Sequence, residues 1–154
     1  LVTAPVAIND VVHATVSFAE FEARAHAVHF VLDLTEPLPP VQADQVQLEQ
    51  VLSNLVKNGI DAMSAISGER VLVIRTRVGA DGGVEIAVID HGEGLAEAVR
   101  GDPFAPFATT KPDGVGLGLA ICRTIVENHS GRLWVESSTA QGTTFCFSLP
   151  SAAA

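Results

Sequence analysis

Apolar positions recur along this chain with two different periods, and the switches between them predict its elements. Val12, Val16 and Ala19 recur at helical spacing after Asn9-Asp10, a favourable helix start, up to about Ala27. From Val28 to Leu34 the period becomes two, with His29, Val31 and Asp33 between apolar or aromatic neighbours, and Pro37-Leu38-Pro39-Pro40 closes the strand as a stiff turn. Asp44, with Gln47 three residues on, makes a capping-box-like start for a second helix whose apolar stripe is Leu48, Leu52, Leu55, Gly59, Ala62 and Ile66. Its opposite side is polar. Gln47, Gln50, Asn54, Asn58 and Asp61 follow at spacings of three and four, so both asparagines project from one face.

Two β-rich runs, Arg70 to Val78 and Val84 to Asp90, are split by Gly79-Ala80-Asp81-Gly82-Gly83, a hairpin signal. Residues 95–115 hold Gly101, Pro103, Pro106, Pro112 and Gly114 and predict a long irregular loop, of the kind that serves as a lid in compact domains. Leu117, Ala120, Ile121, Thr124 and Ile125 predict a third helix with Gly131 as its left-handed cap. Strands at Arg132 to Ser137 and Thr143 to Leu149 follow, joined by the polar turn Ser138 to Gly142. The order α-β-α-β-β-α-β-β implies an α/β (α+β) two-layer sandwich, a mixed, mainly antiparallel sheet of about five strands with three main helices on one face. Residues 1–150 read as one domain and 151–154 as a frayed tail.

Charge narrows the partners. Net charge is −9 with only nine Lys and Arg, which disfavours nucleic acid, whereas a single nucleotide can still be held by magnesium and oriented backbone N–H groups. No apolar run approaches the roughly 18 to 20 residues of a membrane span and no basic-then-apolar leader opens the chain, so a cytoplasmic domain without direct membrane contact is expected. Cys122 and Cys146 each sit in an apolar run and read as buried thiols. The five histidines are scattered without ligand spacing, and no zinc site is indicated.

Four short blocks carry the chemistry. An amide oxygen such as that of Asn58 suits magnesium, a hard cation that takes one or two protein ligands besides phosphates and water; the competing reading is an ordinary solvated helix face. Asp90-His91-Gly92-Glu93-Gly94 ends a strand, where a carboxylate can accept from the exocyclic amine of adenine and thereby reject guanine; read alone it is just a turn. Gly114-Val115-Gly116-Leu117-Gly118-Leu119 is not a dinucleotide fingerprint, because a Pro-containing loop rather than a strand precedes it, but it opens a helix toward an anion. Gly142-Thr143-Thr144-Phe145 completes the set.

In this order the blocks resemble the catalytic and ATP-binding domain of sensor histidine kinases, within the ATPase superfamily of gyrase, MutL and heat-shock chaperones, over roughly Ala4 to Pro150. The run Pro103-Phe104-Ala105-Pro106-Phe107-Ala108-Thr109-Thr110-Lys111-Pro112 is similar to the family's phenylalanine box. Its Thr-Thr-Lys form, with Ile125-Val126-Glu127, is most similar to the oxygen-, nitrogen- and dicarboxylate-sensing subgroup. The resemblance implies a Bergerat-type ATP-binding fold in which Asn58 holds magnesium and Asp90 reads adenine beside Thr143. It places Asn54, Lys57, Asp61, Gly92, Gly94, Leu95, Phe107, Thr109, Thr110, Lys111, Gly114, Val115, Gly116, Leu117, Gly118 and Leu119 around the ATP. Asn54, Asn58 and Lys111 are the implied catalytic residues, and Lys57 and Lys111 the candidate phosphate contacts. Gly59 stands where alanine is usual, and Glu93 adds negative charge near the nucleotide.

Hydrolases of the gyrase or MutL kind carry a glutamate base one turn before the metal asparagine, where this chain has Asn54, and an amide cannot take a proton at neutral pH. Glu49 lies nine residues before Asn58, about 180° around the helix, and cannot substitute. Transfer to a better-placed acceptor is therefore expected, ahead of hydrolysis or of an anti-sigma-type serine kinase on the same fold. No histidine here is followed by Asp or Glu as in the family's phosphoacceptor motif. The acceptor is thus expected on a separate dimerisation hairpin of the same kinase, with a response regulator downstream and a monomer in isolation.

Overall fold

The computed structural model describes residues 2–105 and 118–152. The element order is β1 (Ala4–Val6), α1 (Ile8–Ala25), β2 (Val28–Leu34), β3 (Val41–Ala43), α2 (Gln45–Ala62), β4 (Arg70–Val78), β5 (Val84–Ile89), α3 (Glu97–Arg100), α4 (Gly118–Asn128), β6 (Arg132–Thr139) and β7 (Gly142–Leu149). Five strands form one sheet in the order β2-β4-β5-β7-β6, with β2 parallel to β4 and the remaining pairs antiparallel. On β4 the buried residues are Leu72, Ile74 and Thr76, and on β5 Val84, Ile86 and Val88 share that inner face. They pack with Leu48, Val51, Leu52 and Leu55 of α2, the central helix, which also contacts α1 and α4. This is the expected mixed sheet under a helical layer. No described helix is long and apolar enough to cross a membrane, and both cysteines are free and buried.

Several boundaries differ from the sequence expectation. Helix α1 starts at Ile8 with Ala7 in the N-cap position and no side-chain cap. Asn9 reaches away instead, donating to the Thr35 carbonyl (2.9 Å) and accepting from Thr76 Oγ1 (2.9 Å), which fastens α1 to the end of the sheet. At α2, Asp44 caps as expected by accepting from Gln47 N (3.3 Å), but Gln47 Oε1 is buried with no partner among the described residues, so the reciprocal half of the box does not form there. The helix stops at Ala62, leaving Ile66 beyond it. Two short strands, β1 and β3, were not foreseen; they pair antiparallel with each other. A turn of helix, α3, interrupts the expected irregular loop.

The end of α4 is also corrected. Ser130, not Gly131, takes the left-handed conformation (φ 61°). Ser130 N donates to Glu127 O (2.9 Å) and Gly131 N to Val126 O (2.9 Å), the paired bonds of a Schellman closure. Gly131 is needed for another reason: a Cβ there would meet the Ser148 carbonyl on β7. The buried face of α4 is Cys122, Ile125 and Val126, while Ile121 and Thr124 are exposed. The chain beyond Pro150, expected to fray, is held through Ala152: Ser151 bridges Val41, and Ala152 N donates to Pro40 O (2.8 Å).

Arg70 secures the far end. Its guanidinium donates to the carbonyls of His26 (2.8 Å), Ser64 (3.0 Å) and Ile66 (3.2 Å), which follow the C-terminal ends of α1 and α2. A cation at those negative helix ends is favourable. Arg70→Ala is expected to lower stability by about 2 kcal/mol, read as a shifted urea midpoint with unchanged slope.

Candidate nucleotide site

Gly59, one residue past Asn58, sets the position of the site. A Cβ built there would lie 2.6 Å from Leu72 Cδ1 and 3.5 Å from Asp90 Cβ. Bare backbone at this point lets α2 press onto β4 and brings the turn that carries Asn58 beside the end of β5. A helix-interior glycine costs about 0.5–1 kcal/mol against alanine, and the close packing of α2 on the sheet offsets it.

Asp90 follows β5 and is buried at 4% exposure. Its N–H donates to Thr143 O (3.0 Å), and its Oδ1 accepts from Gly92 N (2.9 Å) and Thr143 N (3.3 Å). Burial raises its pKa above the ordinary carboxylate value; the bonds from Gly92 and Thr143, and then the charge of His91, oppose the shift without cancelling it. Gly142 makes this seating possible. At φ 139° it lies so close to the Asp90 carbonyl that a Cβ would collide with it, so β7 can begin against Asp90 only with glycine there.

Thr143 is buried, and its Oγ1 lies 2.9 Å from Ser138 Oγ, which in turn accepts from Leu95 N (2.8 Å). This chain ties the loop after Asp90 to the β6–β7 hairpin. Ser138 was missed in the sequence, where it read as a turn residue; its signal is the register, since it stands opposite Thr143 across the hairpin. His91 pins the same loop from the other side, with Nδ1 2.8 Å from Val71 O. A carbonyl can only accept, so Nδ1 carries the proton.

Asn54 braces two helices. Its Nδ2 donates to Gly118 O (3.4 Å), in the first turn of α4, and contacts Cys122 Sγ (3.6 Å). Burial pushes the Cys122 thiol up to about 11, which makes it a core residue and not a nucleophile. Asn58 and Asp61 are half-buried further along α2, and Lys57 is exposed. Leu95 and Leu119 are half-buried against the core. Phe104 packs edge-on against Phe145 (centroids 5.9 Å apart, 71°), and Asp102 pairs with Arg123 of α4 (3.5 Å). Phe107, Thr109, Thr110, Lys111, Gly114, Val115, Gly116 and Leu117 lie outside the described residues.

The arrangement thus brings Asn58, Asp90, Gly92, Gly94, Leu95 and Thr143 to one end of α2, with α4 opening beside Asn54. Among the described residues no group of three or more His, Cys, Asp or Glu could hold a metal, so an ion here would depend on amide oxygen and on its own ligand's oxygens.

Comparison with known proteins identifies the family and the fold. Residues 43–153 match the model of the histidine kinase-, DNA gyrase B-, and HSP90-like ATPase family. The chain is 43% identical over 148 residues to the sensor protein TdiS of Thauera aromatica, covering 95% of this chain and 27% of TdiS. It therefore spans about a quarter of that relative. Among solved structures it is similar to the catalytic domain of the histidine kinase ThkA, with a TM-score of 0.84 and 29% identity over 98% of this chain and 97% of that one. Full-length ShkA in complex with AMPPNP gives a TM-score of 0.85 and 29% identity over 100% of this chain and 32% of ShkA. The shared fold, the matched segment and the identity to one part of a sensor protein converge: this chain belongs to the family of histidine kinase-, DNA gyrase B- and HSP90-like ATPases, as a catalytic domain of the sensor histidine kinase type.

Proposed function

We propose that this domain binds Mg-ATP in the cytoplasm and donates the γ-phosphate to a histidine on a separate dimerisation hairpin of its kinase, from which a response regulator takes it. The observation that carries this reading is the buried Asp90 carboxylate, held by Gly92 and Thr143 beside the turn of Asn58, with an amide at Asn54 one turn earlier. Asp90 accepts from the adenine amine, and its raised desolvation cost is offset by that charge-assisted bond. The donor set suits magnesium, since the Asn58 amide supplies one hard oxygen and phosphates and water supply the others. When bound, the ion neutralises charge on the β- and γ-phosphates. By the resemblance, Lys57 and Lys111 contact the phosphates, Asp61, Thr109 and Thr110 stand around the ATP, and the glycine N–H groups grip its anionic end. Asn54 cannot deprotonate water, which leaves the γ-phosphate to an incoming imidazole. Nucleotide binding by the similar ShkA, whose structure holds AMPPNP, supports the same use of this fold.

Labelled Mg-ATP, with and without added acceptor hairpins, tests the proposal. The chain alone should bind nucleotide without labelling itself, and the hairpin should gain an acid-labile, base-stable phosphohistidine. Rapid steady hydrolysis by the chain alone would favour the gyrase-like reading, and a base-labile serine label the anti-sigma type.

A further inference from the structure

Helix α1 carries an apolar seam that no described residue covers. Phe18 and Phe21 are 89% and 86% exposed, and Ala14 and Ala25 are exposed on the same face. Aromatic side chains this open are uncommon on a finished surface. The four positions step by four, three and four residues, the spacing with which one helix meets another. They also form a palindrome, Ala-Phe-Phe-Ala, centred between Ala19 and Glu20.

We propose that this seam is an interface with a second copy of the chain, the two α1 helices packing antiparallel about a two-fold axis. A palindromic seam turned end for end meets itself: Ala14 lies opposite Ala25 of the second copy, and Phe18 opposite its Phe21. Each contact then occurs twice, as a closed isologous pair requires. The flanks are compatible with this. Ser17 falls opposite Glu22 of the second copy, so a carboxylate meets a hydroxyl, and Glu20 is already engaged by Arg24 of its own helix (3.9 Å). Antiparallel packing also sets the helix dipoles head to tail.

The size of the contact sets its strength. Each phenylalanine buries about 150–250 Å² at most, so four of them contribute roughly 600–1000 Å², at the low end for a specific interface, which makes this a weak, concentration-dependent pair. The monomer expected from the sequence is the dilute state. Each copy carries a net charge of −9. Salt that screens this repulsion strengthens pairing, the reverse of an ion-paired interface.

Sedimentation equilibrium up to about 500 μM tests the proposal. The parent should dimerise reversibly and more tightly in high salt, and Phe18→Ser with Phe21→Ser should weaken association at least tenfold. Circular dichroism and ATP affinity should stay unchanged, because neither residue belongs to the core or the site. Orientation is read by oxidising cysteine variants. A mixture of Ala14→Cys and Ala25→Cys chains should cross-link, while either alone should not, since like positions lie about 16 Å apart along the axis. A parent that stays monomeric throughout overturns the proposal. So does a dimer indifferent to the serine changes, or cross-linking of Ala14→Cys with itself. If instead the serine variant loses only transfer to an added hairpin, the seam serves that hairpin and the self-pairing is refuted.

Discussion

Asp90→Asn should weaken ATP binding by tenfold to about a hundredfold and at the same time raise the melting temperature of the nucleotide-free domain. Both effects come from one carboxylate. Asparagine keeps an oxygen for the Gly92 and Thr143 N–H groups, but it lacks the charge that strengthens a bond to the adenine amine. It also removes the cost of burying that charge. The pH dependence follows from the raised pKa. The folded state holds the proton more tightly than the unfolded chain. Asp90 therefore favours folding fully below its unfolded pKa, and that contribution is lost as pH rises through the raised folded value. Nucleotide binding runs the other way and should weaken as pH falls through the same raised value. Calorimetric titration with ATP and GTP, together with thermal melts of both proteins, checks this. An unchanged ATP affinity, or equal competition by GTP in the parent, would remove Asp90 from the adenine site.

Asn58→Ala should abolish the magnesium dependence of ATP binding and slow transfer to an added hairpin at least a hundredfold. Asn58 is half-buried on the polar side of α2 and outside the hydrophobic core, so the fold should survive. In the proposed function the side-chain amide would supply a protein oxygen to the ion, and without it the β- and γ-phosphates would lose their shared counter-charge. Titrations with and without magnesium measure the first effect and single-turnover labelling the second. A variant that melts far below the parent would make Asn58 structural, and retained magnesium dependence would place the ion elsewhere.

What could be read from the sequence was whatever depended on neighbours in the chain. The Asp44 cap and the stripe from Leu48 to Leu55 define α2 locally, and the alternation from Val28 to Leu34 defines β2 with the bounds observed. The Asn58, Asp90 and Thr143 blocks each read alone as an ordinary helix face or turn, and their order along the chain is what carries the resemblance. What escaped depends on distant partners. Strands β1 and β3 have three residues each and exist because they pair across some forty positions. Ala7 replaces Asn9 as the α1 N-cap because Asn9 is drawn to Thr35 and Thr76. Ser138 belongs to the site through a cross-strand pair that no spacing reveals. The bond from Asn54 to the first turn of α4 spans 64 positions and is equally invisible in the chain.

The short pairings around residues 40–44 also define a path for mechanical load. Val41 pairs with Val6 on one side and bridges Ser151 on the other, Pro40 accepts from Ala152, and Asp44 accepts from Val2 N (3.1 Å) while its own N–H donates to His129 Nε2 (3.1 Å). A pull on β1 and a pull on residues 151–152 therefore converge on the same five residues. Those residues lead directly into the N-cap of α2, about four turns before Asn58. Tension applied at either place is delivered along the axis of the helix that carries Asn58, and through His129 it reaches the end of α4 as well.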